Sequence, residues 1–168
     1  GQIGGAIDFD GADDNISLAS EIDLAENTPW TIAYWFYHDH VSSYDMTLGR
    51  TADSNNRLYH RDTGASYKIK WHSNAGTSVD FDFGEDARQA WHHVAIVCDG
   101  GDASNMDFYY DGAFVETETL AATRFRIDNV GYPYSSSGWE WLGKLDDIRI
   151  YNYELNAAQI ANLAKTTT

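Results

Sequence analysis

The sequence predicts an all-β protein of the sandwich or jelly-roll class, with one short helix near its C-terminal end. Short apolar and aromatic runs recur along all 168 residues, separated by clusters of Gly, Asn, Asp and Ser. Aromatic residues make up 14% of the chain, too many for a disordered protein. A helix start signal stands near the end, where Asn156 and Gln159 form a potential capping box and Leu155 and Ile160 a hydrophobic staple.

The strands are predicted from turn residues and from the alternation of polar and apolar positions. They occupy residues 6–10, 15–18, 31–38, 44–50, 57–61, 67–72, 78–83, 91–98 and 145–151. The aromatic-rich segment 31–38 and the segment 91–98 are apolar on both parities, which predicts central strands buried on both faces. Asp111 and Gly112 are predicted to form a two-residue hairpin turn.

The closing strand carries an acidic residue among its apolar positions. Ile148 and Ile150 face one side, and Asp146 shares their parity, so its carboxylate is predicted to point toward the core. A buried carboxylate needs a metal or several hydrogen-bond donors.

Length and composition predict a single domain over residues 1–165, with 166–168 as a linker or tail. The single cysteine, Cys98, excludes an internal disulfide framework. No apolar run is long enough to predict a membrane span.

The charge balance limits the possible ligands. With 26 acidic and 11 basic residues, the formal net charge is −15. Such a chain should repel nucleic acid. It should also repel acidic polysaccharides, unless a bound cation or a local Arg/Lys patch intervenes, so a neutral glycan is favoured over an acidic one.

Three stretches resemble one known family. They are Gly-x-Leu-Asp-Asp-Ile-Arg-Ile-Tyr-Asn at 143–152, Ala-Ile-Asp-Phe-Asp-Gly at 6–11, and Trp-His-His-Val-Ala at 91–95 followed by Phe-Tyr-Tyr-Asp-Gly at 108–112. In this order they resemble the laminin-G-like jelly-roll domains of the concanavalin A-like lectin and glucanase superfamily. The resemblance implies a two-sheet antiparallel β-sandwich, a fold that carries many functions.

Within that superfamily, the expected function is a non-catalytic, lectin-like module that binds carbohydrate. It would be one domain of a larger secreted or surface protein, located outside the cell or on its surface. The alternative is a structural or protein-interaction module, such as an adhesin, virion or tail domain. An enzyme is the third possibility.

The enzyme possibility depends on Glu21, Asp23 and Glu26. Their spacing matches the Glu-x-Asp-x-x-Glu signature of laminarinase-type retaining glucanases, in which two carboxyls flank the sugar bond. In those enzymes the motif lies on a long central strand deep in the chain, whereas here it precedes the strand that starts near Trp30. We therefore expect these carboxylates not to be catalytic.

The resemblance also implies a structural calcium ion, because the opening and closing strands of this superfamily commonly lie together and share one. Asp10 and Asp146 are the expected side-chain ligands, and Gly11 the expected carbonyl ligand. The alternative is that Asp146 only accepts backbone hydrogen bonds.

A second possible metal site is the pair His38 and His40, with Asp39 and Asp45 nearby. No third or fourth ligand with a recognisable zinc spacing is evident. Polar residues at a strand end explain the pair better.

A sugar site needs exposed aromatic rings beside polar groups. The loop around residues 131–140 supplies Tyr132, Tyr134 and Trp139, and the outward parity of 57–61 supplies Arg57 and Tyr59. We predict the three rings as stacking residues and the other two as polar partners if the rows converge. The alternative is that Tyr132 and Trp139 cap the core.

Overall fold

The computed structural model describes residues 1–39, 44–52, 54–62, 66–84, 86–101, 104–132 and 138–165. Within these residues the chain forms twelve strands and one helix. Their bounds are β1 Ile7–Asp10, β2 Ile16–Leu24, β3 Trp30–His38, β4 Asp45–Gly49, β5 Arg57–Asp62, β6 Tyr67–His72, β7 Ser78–Asp82, β8 Trp91–Cys98, β9 Ser104–Tyr110, β10 Ala113–Leu120, β11 Phe125–Val130, β12 Leu142–Tyr151 and α1 Ala157–Leu163.

The strands form two antiparallel six-stranded sheets, which confirms the predicted β-sandwich. The first sheet has the order β1-β12-β3-β8-β9-β10, and the second has the order β2-β11-β4-β5-β6-β7. Strands β3 and β8 are both interior strands of the first sheet, as predicted from their apolar character on both parities, and they pair with each other. The predicted turn at Asp111 and Gly112 joins β9 to β10, and both residues have positive φ.

The core lies between the sheets and is rich in aromatic rings. Trp30 from the first sheet stacks on Trp71 from the second, with ring centroids 6.1 Å apart. Phe81 stacks on Phe108 in the same way, at 4.9 Å. All four side chains are fully buried, so the aromatic content supplies the apolar area that holds the sheets together.

A bulge in β12 overturns the predicted direction of Asp146. The pairing of β12 with β3 shifts between Asp146 and Arg149, and Asp147 has a φ of 49°. Leu145 therefore faces the core, whereas Asp146 lies opposite Trp35 on the outer face of the sheet. The prediction was wrong because one extra residue in a strand reverses the alternation of side chains.

The C-terminal helix covers part of the outer face of the first sheet. Asn156 caps it in the predicted capping box with Gln159, and Leu155 and Ile160 are both buried there. The predicted start signal is thus confirmed. No helix in the described ranges has the length and apolar character needed to cross a membrane.

Candidate functional site

The outer face of the second sheet carries three polar rows across β5, β6 and β7. Leu58 and His60 point into the core, so Arg57, Tyr59 and Arg61 point outward. The register then sets the outward residues of neighbouring strands beside one another. The rows are Arg57–His72–Ser78, Tyr59–Lys70–Asp80 and Arg61–Lys68–Asp82.

Three aromatic rings, which we call the aromatic platform, stand at one edge of these rows. They are Tyr44, Tyr59 and Trp139. Tyr44 stacks on Trp139 with ring centroids 4.6 Å apart and an angle of 13° between the planes. Tyr59 lies 5.8 Å from Tyr44 and 5.4 Å from Trp139. The backbone N–H of Met46 donates to the Trp139 carbonyl at 2.8 Å, which ties the loop to β4.

Two guanidinium groups flank the aromatic platform. Arg57 lies 5.2 Å from the Trp139 ring centroid and 5.8 Å from that of Tyr59, while Arg61 lies 5.7 Å from that of Tyr44. These are cation–π distances. Tyr59 is only 4% exposed, and burial raises its pKa to about 12. Tyr44 and Trp139 are half-buried, so they present the aromatic surface that a ligand can reach.

The structure brings together three of the five residues predicted to bind sugar: Arg57, Tyr59 and Trp139. Tyr132 is half-buried at the start of the loop and makes no ring contact with the aromatic platform within the described residues. Tyr134 lies outside the described residues. The role of all five in binding stays a prediction.

Sequence reasoning missed Tyr44, Lys68 and Lys70. Tyr44 was assigned to a strand, but it precedes β4 and joins the aromatic platform. The two lysines share the outward parity of β6, a signal that is visible in the sequence once β6 is paired with β5.

A chain of buried hydrogen bonds lies in the core below β4 and β5. Tyr34 OH is 2.9 Å from His60 Nε2, His60 Nδ1 is 2.9 Å from Tyr67 OH, and Tyr67 OH is 2.6 Å from His38 Nδ1. His38 Nε2 then contacts the Asp45 carboxylate. All five side chains are at most 2% exposed.

A single direction of donation satisfies these four contacts. Tyr34 donates to His60, His60 to Tyr67, Tyr67 to His38, and His38 to the Asp45 carboxylate. Burial holds the pKa of His60 well below its usual value, in keeping with a neutral ring. His38 is therefore engaged in the core, whereas His40, its partner in the zinc alternative, lies outside the described residues.

The residues of the predicted calcium site do not all come together. Asp10 pairs with Leu142 across β1 and β12, four positions from Asp146, or about 13 Å along the strand. Asp146 instead accepts a hydrogen bond from the backbone N–H of Ile3 at 2.8 Å, as in the alternative in which it accepts backbone hydrogen bonds and binds no calcium. Asp10 lies with Asp13 and Asp14, and carboxylate oxygens of all three fall within 4.8 Å of one another. Oxygen donors of this kind fit calcium.

The carboxylates of the glucanase-like motif are engaged elsewhere on β2 and the turn after it. Glu21 pairs with Arg50. Asp23 pairs with Arg124, whose hydrogen bond lowers the pKa of that carboxyl. Glu26 accepts backbone N–H groups of Thr123 and Arg124 at 2.7 and 3.1 Å. β2 is an edge strand of its sheet, and these contacts hold it and the following turn against neighbouring segments of the same protein.

Several solved structures share this fold. Domain 4 of AbnA, a GH43 extracellular arabinanase from Geobacillus stearothermophilus solved with arabinotriose, has a TM-score of 0.71 and 19% identity over 98% of this chain and 79% of its own. A heptameric SAP-like pentraxin from Limulus polyphemus has a TM-score of 0.70 and 16% identity, over 95% and 81%. The CBM40 of Ruminococcus gnavus IT-sialidase has a TM-score of 0.69 and 13% identity, over 95% and 96%. No curated protein sequence matches the chain.

The family comparison agrees with the architecture. A laminin G family model, described as concanavalin A-like lectin/glucanases superfamily, matches residues 10–161. The match covers nearly the whole chain, including all three residues of the aromatic platform. This protein belongs to the laminin G branch of the concanavalin A-like lectin/glucanase superfamily.

Proposed function

We propose that the chain is a non-catalytic carbohydrate-binding module of a larger secreted or surface protein. The observation that carries this proposal is the half-buried stack of Tyr44 and Trp139 beside the guanidinium group of Arg57. Sugar rings present C–H faces that pack on aromatic rings, and their hydroxyls need polar partners close by. The aromatic platform on the outer face of the second sheet supplies the packing surface, and the flanking arginines supply the polar partners.

Two further points support a binding role without catalysis. The carboxylates Glu21, Asp23 and Glu26 are each held by arginine or backbone donors on an edge of the sandwich. Structural relatives named above include a carbohydrate-binding module and a domain solved with arabinotriose, one of them from an extracellular enzyme. The total charge of −15 by itself favours a neutral ligand.

A glycan array probed with this chain, with and without calcium, tests the proposal. We expect binding to a restricted set of glycans, because the aromatic platform is small and its polar partners have fixed positions. Complete silence under both conditions would overturn the proposal and favour the structural or protein-interaction alternative.

We also propose a structural calcium ion at the opening turn, held by Asp10, Asp13, Asp14 and the Gly11 carbonyl. Three converging carboxylates repel one another, and a divalent cation would remove that repulsion. An ion that binds only the folded state raises its stability, so calcium at a hundredfold excess over its Kd should raise the melting temperature by roughly 5–10 °C.

The matched variants are Asp10→Asn, which should abolish the calcium-dependent shift, and Glu154→Gln, which should keep it. Both remove one negative charge, and Glu154 is exposed and remote from the turn. A melting temperature that excess chelator and added calcium both leave unchanged would mean that no calcium contributes to the fold.

A further inference from the structure

The outer face of β5, β6 and β7 has a charge opposite in sign to that of the whole protein. Four basic side chains stand there, whereas the same rows hold two carboxylates. The basic residues are Arg57, Arg61, Lys68 and Lys70, and the acidic ones are Asp80 and Asp82. In a chain with net charge −15, this face is a local positive patch.

The ion pairs on this face leave one arginine out. Lys68 lies 3.1 Å from Asp82, and Asp80 is shared by Lys70 at 3.3 Å and Arg61 at 3.8 Å. Among the described residues, Arg57 has no carboxylate partner, and its Nε is buried with no hydrogen-bond partner. A buried donor without a partner is costly in a folded protein.

Arg57 is exceptional among the arginines of the described ranges. Each of the other six lies within 4.0 Å of a carboxylate. The pairs are Arg50–Glu21, Arg61–Asp80, Arg88–Asp62, Arg124–Asp23, Arg126–Glu21 and Arg149–Asp147. In a protein with such an excess of acidic residues, the one guanidinium without a carboxylate is the one that lies over the Trp139 ring.

We infer that the ligand of the aromatic platform is an anionic sugar, whose carboxylate pairs with Arg57 while its ring packs on Tyr44 and Trp139. This inference rests on the proposed function and names its ligand class. The guanidinium fork matches a carboxylate with two parallel N–H···O bonds. Because Arg57 lies beside the aromatic rings, the carboxylate of a uronate-type or sialate-type sugar can reach the guanidinium group while the sugar ring packs on Tyr44 and Trp139.

The total charge of the protein does not oppose this ligand at the site. Charges farther away than about 8 Å are largely screened at physiological ionic strength, so the balance of four basic and two acidic side chains on this face counts for more than the carboxylates elsewhere on the protein. The net charge of the whole chain predicts a neutral glycan, unless a local Arg/Lys patch intervenes. The outer face of β5, β6 and β7 is such a patch.

The test is a panel in which each carboxylated glycan is paired with its carboxyl-reduced, neutral counterpart, together with sulfated glycans as a separate arm. We expect binding to at least one carboxylated member, at least tenfold weaker binding to its reduced form, and weaker binding as salt rises. Arg57→Gln should bind the carboxylated glycan at least tenfold more weakly than the wild-type chain does. Its residual affinity for the reduced form should be nearly unchanged. Arg57→Lys should recover part of the loss.

Arg124→Gln is the matched control, because it removes the same charge from an exposed arginine that pairs with Asp23 outside the site. It should bind like the wild-type chain. Equal affinity for the carboxylated and reduced forms, or a preference for sulfated glycans alone, would overturn the carboxylate inference and leave the sugar-binding proposal standing. An Arg57→Gln loss that is equal for both forms would also overturn it. Failure to bind any member would overturn the carboxylate inference, whereas silence on the full glycan array would overturn the proposed function itself.

Discussion

The variant His38→Leu should lower the free energy of unfolding by about 3 kcal/mol. Leucine cannot hydrogen bond, so the substitution leaves the fully buried Asp45 carboxylate without the imidazole that contacts it. It also removes one of the two histidine partners of the Tyr67 hydroxyl. The measurement is urea denaturation at pH 7, followed by tryptophan fluorescence.

A double-mutant cycle separates the charge from the packing. In the His38→Leu background, Asp45→Asn should recover part of the lost stability, because it removes the buried charge. The coupling between the two positions should be about 1 kcal/mol or more. His72→Leu, a half-buried histidine outside this chain of hydrogen bonds, should cost about 1 kcal/mol at most. Strictly additive costs at His38 and Asp45 would contradict the hydrogen-bond chain described here.

The variant Trp139→Ala should bind the glycan found on the array at least fivefold more weakly. The substitution removes the ring that stacks on Tyr44 and the face that Arg57 lies over. Aromatic stacking is worth about 1 kcal/mol or more per ring, by analogy with bases stacked on aromatic side chains. The fold should persist, because the contact with β4 runs through the Trp139 backbone carbonyl, which alanine retains. Titration calorimetry and a melting curve measure the two effects separately.

The control for the loss of an aromatic ring is Tyr153→Ala. Tyr153 is 49% exposed and contacts Tyr151, near the helix and away from the second sheet. It should bind normally, whereas Tyr44→Ala should weaken binding as Trp139→Ala does. If Trp139→Ala binds normally or unfolds, Trp139 only caps the core and the site lies elsewhere on the sandwich.

The elements that were predicted correctly depend on neighbours in the sequence. Alternation placed Arg57 and Tyr59 on the outward parity of 57–61, which leaves Leu58 and His60 facing inward, as the structure has them. These predictions succeed because a side chain's face follows from the strand period as long as the strand is regular. The capping box of the helix is likewise a local motif.

The bulge at Asp146 and Asp147 could not be predicted from the alternation of polar and apolar residues. A β-bulge shifts the register of a strand without a recognisable signal in its residue types. The sequence around Asp146 therefore did not indicate that this side chain would face outward. The spacing of Asp10 from Asp146 was missed for a related reason. Strand adjacency was expected from the family resemblance, but the register of β1 on β12, which sets the distance, was not.

By itself, the sequence determined the fold class, the faces of the regular strands, the helix start and the arginine and tyrosine of the candidate site. Only the tertiary structure decided that Tyr44 stacks on Trp139 and that Lys68 and Lys70 line up with Arg61 and Tyr59. Only the structure showed that, among the described residues, Arg57 has no carboxylate partner and its Nε is buried without a hydrogen bond. The physical reason is that strand faces follow from local geometry, whereas these contacts depend on which distant segments pair and in which register, and those choices minimise the free energy of the whole sandwich.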